Sequence, residues 1–156
     1  MALKTDRIHI DSQIDYFMNE TAERGGIAAI STVGSGSAMD QAQQLATYKA
    51  VASGVKPLGV LMCDVVDIDL IRQHENWHKE EVVKGGKVTI WSKCTVVTDR
   101  IYGTPTAGSL AYVGPSGLIA PAAYQTDHTG AAATPVGRFV STKDEEGFAK
   151  VQVNLP

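Results

Sequence analysis

Gly54-Val55-Lys56-Pro57-Leu58-Gly59-Val60-Leu61-Met62-Cys63-Asp64-Val65-Val66 is the stretch whose reading decides the fold. It opens on a turn signal, Gly54 to Pro57, and then runs apolar through Gly59 with hardly a polar break until Asp64. A short apolar run bounded by Gly and Pro reads as a buried strand. It is too short, and too β-branched at its end, for a helix. Gly59 inside the run predicts a place where another backbone or a bulky side chain comes close.

The stretch has an echo in Pro135-Val136-Gly137-Arg138-Phe139-Val140, again Pro, an aliphatic residue, Gly and an apolar-rich run. Upstream, Gly25-Gly26 leads to Ile30, and Gly85-Gly86 leads to Ile90. Two β units are one reading, each opening on Gly-Gly and closing on Pro-x-Gly. Ordinary β punctuation is the other. Gly59 and Gly137 are expected to matter for backbone approach, not for chemistry.

The rest of the chain supplies short strands. Met1 to Ser12 alternates weakly around Ile8 and Ile10 and reads as an extended arm or an edge strand. Ile14 to Arg24 fits a short helix or a second extended piece. Met39 to Ser53, rich in Ala, Gln and Leu, is the one helix-like composition, with Asp40 as a cap, although Tyr48 to Val51 could equally begin a strand. Val66, Ile68 and Leu70 alternate with Asp67 and Asp69. Val88, Ile90, Ser92, Cys94 and Val96 fall on one face of the clearest strand, with Thr89, Trp91, Lys93, Thr95 and Val97 on the other. Gly114-Pro115-Ser116-Gly117 reads as a turn between two short strands, and Val151, Val153 and Leu155 line one face of the last strand. The expected fold is mainly β: a small antiparallel barrel or sandwich, with an extended N-terminal arm and at most one or two short helices. Residues 1–16 are expected as the arm and 17–156 as a single β-rich domain.

Composition narrows the function. Apolar residues at 44% suffice for a core, and aromatics at 6% make that core aliphatic. A net charge of −3 without a long run of one sign argues against nucleic acid and anionic membrane surfaces as partners. No stretch reaches the roughly 18 apolar residues of a membrane span, and Met1 to Tyr16 has no signal-peptide core, so synthesis and folding in the cytosol are expected. Cys63 and Cys94 fall on expected strands and read as small buried residues, not a disulfide or metal site.

One motif invites a catalytic reading. His74-Glu75-Asn76-Trp77-His78 matches His-Glu-x-x-His, which on a helix sets two imidazoles one turn apart around zinc with Glu as general base. Arg72 before it, Lys79-Glu80-Glu81 after it and the nearby Gly85-Gly86 leave little room for such a helix. No third ligand has the expected spacing, Asp99 and His128 included. His74, Glu75 and His78 are therefore read as a chance match. Gly34-Ser35-Gly36 lacks the Lys and third Gly of a phosphate loop. Asp64, Asp67 and Asp69 lack calcium-loop spacing and read as a solvated strand edge. No catalytic residues, cofactor or metal are assigned.

Four segments together resemble the capsid decoration proteins of tailed bacteriophages, also called cement or head-stabilising proteins. They are Pro57-Leu58-Gly59-Val60-Leu61, Gly85-Gly86-Lys87-Val88-Thr89-Ile90, Ala107-Gly108-Ser109-Leu110-Ala111-Tyr112 and Pro135-Val136-Gly137-Arg138. The resemblance spans Gly25 to the C-terminus and rests on β punctuation, not on catalytic signatures. It implies a non-enzymatic virion protein, made in the host cytoplasm, that binds major capsid protein subunits on the outside of the head. It also implies a homo-oligomer, a trimer before a dimer. Arg7, Ile8, His9 and Ile10 are the expected contacts to capsid or sister subunit, because a short extended segment can pair with a neighbouring sheet. A tail or baseplate β protein is the alternative, and a zinc hydrolase through His74, Glu75 and His78 the remote one.

Overall fold

The computed structural model describes residues 9–31, 45–50, 54–64, 68–69, 74–75, 81–122 and 135–156. The chain is mainly β, as expected. Among the described residues nine strands form one sheet: β1 (His9–Met18), β3 (Ile27–Ile30), β4 (Leu45–Thr47), β5 (Pro57–Asp64), β9 (Lys87–Thr98), β10 (Leu110–Val113), β11 (Ile119–Ala120), β12 (Pro135–Phe139) and β13 (Ala149–Asn154). Two small pairs accompany it: β2 (Ala22–Glu23) with β8 (Glu81–Val82), and β6 (Ile68–Asp69) with β7 (His74–Glu75).

Three expectations change. The segment expected as an extended arm or an edge strand is, from His9 onward, a strand paired with both β4 and β9, with Ile14 opposite Ile90 and Tyr16 opposite Val88 on β9. Ile14, Tyr16 and Met18 point to one core, which ties the segment down. Arg7 and Ile8 lie outside the described residues. The helix expected over Met39 to Ser53 is, where described, the strand β4. Here edge pairing of Leu45 and Ala46 with β1 overrides helix propensity. Finally, the faces of β9 do not alternate throughout. Its register with β1 shifts between Ser12 and Gln13, where Lys93 is followed by Trp91. Across this bulge Val88 and Ile90 serve one core, whereas Trp91, Cys94 and Val96 serve another.

The strand order β4-β3-β5-β9-β13-β12-β10-β11 reads the same from both ends in structural terms. β3, β4, β5 and the first half of β9 form unit A; β10, β11, β12 and β13 form unit B. In unit A, Ala29 and Ile30 face Thr47 and Ala46; in unit B, Tyr112 and Val113 face Ala120 and Ile119. Pro57 and Gly59 take two steps against Ala29 and Ala28, just as Pro135 and Gly137 do against Tyr112 and Ala111. Each Pro-x-Gly is thus the same β-bulge, and the residue inside it, Leu58 or Val136, is buried. The Gly25 amide donates to the Leu61 carbonyl and the Leu61 amide to Gly26, while the Gly108 amide donates to Phe139 and the Phe139 amide to Ser109. So the partner of Gly25-Gly26-Ile27-Ala28 is Gly108-Ser109-Leu110-Ala111; Gly85 instead opens the last strand of unit A.

Each unit closes on itself. β1 pairs in parallel with β4 and antiparallel with β9, closing ring A. Ile101, just beyond β9, bridges in parallel to Ile119 and closes ring B, with β13 paired back to β9. The equivalence extends to this closure: the Asn19 amide donates to Ala46 and the Tyr102 amide to Ile119. Ring A is filled by Met18, Ala28, Ala46, Leu58, Leu61, Val88 and Ile90. Their counterparts in ring B are Ile101, Ala111, Ile119, Val136, Phe139, Ala149 and Val151, all in the second core. β2 and β8 add Ala22 and Val82 to the first core.

The two bulge glycines meet equivalent neighbours. A Cβ on Gly59 would fall 2.6 Å from the Trp91 carbonyl carbon, and one on Gly137 would fall 2.9 Å from that of Gln152. Gly59 also has φ +149°, a value that side chains rarely adopt. Gly54, by contrast, has φ +66° with open space around it. Gly59→Ala and Gly137→Ala should each cost more than about 2 kcal/mol, and Gly54→Ala about 1 kcal/mol. Urea titration of the three variants checks this; losses at Gly59 and Gly137 no larger than at Gly54 would show that the strands can part around a methyl group.

Candidate interaction surfaces

The two units meet through a polar and glycine-lined joint. The turn at Pro115–Gly117 follows Val113 and lies on unit A, where the Ser116 amide donates to the Lys49 carbonyl at 2.7 Å. A Cβ on Gly117 would come 2.6 Å from Tyr48 Cγ, and one on Gly26 would come 2.6 Å from the Gly117 carbonyl oxygen. Only glycine permits this contact. The Tyr48 hydroxyl donates to the Glu23 carbonyl at 2.6 Å and accepts from the Gly26 amide at 3.1 Å. The Glu20 carboxylate accepts from the Thr47 hydroxyl and from the Tyr48 amide, both at 2.5 Å. Arg100, on the segment closing ring B, pairs with Glu23 at 2.5 Å. Thr98 is fully buried and donates its hydroxyl to the Gly25 carbonyl at 3.0 Å. Apart from Arg100 Nε, which is buried without a hydrogen-bond partner, these groups are satisfied locally, which marks the cluster as a joint between the units.

The outer faces of the units differ. In unit A a row runs across three strands: Ile27 opposite Val60, and Val60 opposite Trp91. All three are buried, because the core of ring B continues across them. The equivalent row in unit B is Leu110 opposite Arg138, and Arg138 opposite Gln152. This row is open. It lines a shallow groove of about 510 Å³ with Pro135, Gly137 and Asn154. Arg138 Nε donates to Gln152 Oε1 at 2.9 Å, which holds the guanidinium along the strands. An exposed aliphatic residue, a proline and a fixed guanidinium give a surface suited to a partly apolar partner.

The candidate residues distribute as follows. His9 and Ile10 are on β1 opposite Thr95 and Cys94, and Ile10 is 41% exposed. Gly59 and Gly137 occupy the equivalent bulges. His74 and Glu75 form the strand β7, paired with Ile68 and Asp69. The helix that a His-Glu-x-x-His zinc site needs is therefore not formed at its first two residues; His78 lies outside the described residues. The segment belongs to the connection between β5 and β9, longer than its counterpart between β12 and β13. Among the described residues no group of three His, Cys, Asp or Glu could hold a metal ion. The Leu110 row was not singled out from sequence, although Gly108-Ser109-Leu110-Ala111 beside Gly25-Gly26-Ile27-Ala28 carries the signal.

A scan against protein-family models and a search of curated proteins both give no match to this chain. Among the described residues no helix is long and apolar enough to cross a membrane.

Two buried groups set an alkaline limit. Burial pushes the Tyr48 phenol well above its ordinary value of 10.0. Burial, with a smaller contribution from Asp11, pushes the Cys94 thiol up from 9.0 to about 12. Below about pH 8 both are protonated whether the chain is folded or unfolded, so their contribution to stability is fully present. Above that, the unfolded chain releases protons that the folded chain retains, and stability falls as pH rises. Melting temperature should thus decline between pH 9 and 11, less steeply in Tyr48→Phe. An equal slope in that variant would contradict the assignment to Tyr48.

Proposed function

We infer that the protein is a structural virion protein that binds the outer surface of a tailed-phage head and stabilises it by bridging major capsid protein subunits. The observation that carries this reading is where the resembling segments lie. Pro57 to Leu61 and Pro135 to Arg138 are the two equivalent bulges. Ala107 to Tyr112 is the glycine turn and first strand of unit B, and Gly85 to Ile90 opens the strand shared by both rings. The pattern shared with decoration proteins is therefore the framework of the fold, not a scatter of surface residues. Both rings are filled by packed apolar side chains, which suits a scaffold that acts through its outside.

On this reading the partners are the major capsid protein and further copies of the chain, in a homo-oligomer with a trimer favoured over a dimer. The protein works on the virion surface after synthesis in the host cytoplasm. No catalytic step, cofactor or metal is part of it. The N-terminal contact is assigned to Arg7, Ile8, His9 and Ile10; β1 begins at His9, and Ile10 is exposed. Adding main-chain pairing at a subunit joint is an effective way for such a segment to bind a lattice.

The experiment is co-sedimentation of purified protein with undecorated phage heads, followed by electron microscopy of the pellet. The expected outcome is copies distributed over the head lattice. Deleting residues 2–8, which leaves β1 whole, should weaken binding while leaving the melting temperature within a few degrees. A deletion through residue 11 would cut pairs of β1 with β9 and so test folding instead. Copies found only on tails, or no binding by the intact chain, would overturn the reading.

A further inference from the structure

We propose that the outer face of ring B docks a short acidic segment of a partner polypeptide, with its carboxylates on Arg138, Lys150 and Lys93 and an apolar side chain in the groove beside Leu110 and Pro135. The inference comes from how strand pairing sorts the charges of the chain. Asp and Glu outnumber Lys and Arg, 17 to 14. Yet residues 93–98 of β9 and the whole of β10, β11, β12 and β13 contain no Asp or Glu. Their charged residues are Lys93, Arg138 and Lys150, and all three are exposed. Register puts them on one face. Arg138 is opposite Gln152 and Gln152 opposite Thr95, while Lys93 is opposite Asn154. Lys150, two residues before Gln152 on β13, shares its face, and the Val140 amide donates to the Lys150 carbonyl. Gln152 is thus surrounded by three cations that the sequence keeps apart. On the β1 side Asp11, in the bulge opposite Lys93 and Cys94, marks the border of the face.

Among the described residues these cations have no ion pair; the pairs lie elsewhere, Lys87 with Asp15 and Arg100 with Glu23. Arg138 Nε donates to Gln152 Oε1 at 2.9 Å. That bond fixes the guanidinium plane and leaves its two terminal nitrogens to donate as a fork, a geometry that matches a carboxylate. Beside the fork, the groove of about 510 Å³ offers Pro135 and Leu110, which is 53% exposed. Val140, next to Lys150, is 44% exposed. An aliphatic side chain of the partner covers this apolar surface, excludes water from the fork and so strengthens its charged hydrogen bonds. The occupant is a polypeptide and not a nucleic acid for a second reason. The chain has a net charge of −3, and without these three cations the remainder is more acidic still. A short acidic segment fits within the face, whereas a long polyanion runs past it into repulsion. The proposal does not rest on the capsid reading, since a soluble peptide tests it without phage heads.

The test is titration of the intact, isotope-labelled protein with the peptide Glu-Leu-Glu-Leu-Glu, blocked at both ends and followed by amide chemical shifts. Saturable shifts are expected at Leu110, Arg138, Lys150 and Gln152, with affinity falling as salt rises. The peptide Gln-Leu-Gln-Leu-Gln should bind roughly tenfold more weakly or worse. Arg138→Gln should lose a comparable factor, and Arg138→Lys, which keeps the charge without the fork, a smaller one. Leu110→Ser should weaken binding while leaving its salt dependence unchanged. These side chains are exposed, so melting temperatures should stay close to wild type; should Arg138→Gln melt early, Lys150→Gln serves in its place. No saturable shift on this face, or equal binding of the Glu and Gln peptides, would overturn the proposal. So would tighter binding of a short oligothymidylate at the same ionic strength, which would assign the face to nucleic acid. Shifts on this face that grow with protein concentration alone would assign it to a second copy and overturn the proposal as well.

Discussion

The pairing of β9 on both of its edges is the constraint on which the rest of the structure depends. One edge carries β1; the other carries β5 along its first half and β13 along its second. A single strand is thus the last strand of one ring and the first strand of the next. The bulge near Ser92 makes this possible, because it brings Cys94 and Val96 to the face of Trp91 and the second core, while Val88 and Ile90 face the first. With strict alternation Cys94 and Val96 would fall on the face of Val88 and Ile90 instead.

Close approach is the second condition. Short strands closed into small rings leave little room at the bulges, and Gly59 and Gly137 admit the backbone of the neighbouring strand there. The interiors are correspondingly built from Ala, Val, Ile, Leu and Met, with Phe139 the one large ring among the residues that fill the two rings. Dispersion contacts and hydrophobic burial then hold the fold, and the hydrogen-bonded cluster around Tyr48 keeps the two units in register. On the proposed reading, a body so filled engages its surroundings with its surfaces, where Ile10, Ile30, Val83, Tyr102, Leu110 and Val140 are the exposed large apolar side chains among the described residues.

The sequence made the class of the fold legible, and several of its parts. Alternation marked Val151, Val153 and Leu155 as inward-facing, and the Pro-x-Gly pair marked two equivalent places. What escaped was whatever depends on pairing partners. β4 carries a helical composition but is held as a strand by β1 and β3. The segment from His9 reads as an arm or an edge strand, yet it pairs with β9 some eighty residues later. The bulge in β9 leaves no glycine in the sequence to announce it. The repeat was assigned to Gly85 instead of Gly108 because Gly-Gly is the louder signal, whereas the equivalent turn uses Gly108-Ser109. The Leu110 row could not be read as exposed without knowing that its counterpart, Ile27, is covered.

The central claim is that two equivalent rings share β9 and stand or fall together. Native-state amide hydrogen exchange tests this most directly. The account predicts that amides from Val88 to Val97 are the slowest in the chain, and that the inner amides of β5 and β12 exchange through the same global opening, with equal free energies. Exchange of β10, β12 and β13 through a separate, lower-energy opening, while β1, β3 and β5 stay protected, would contradict it.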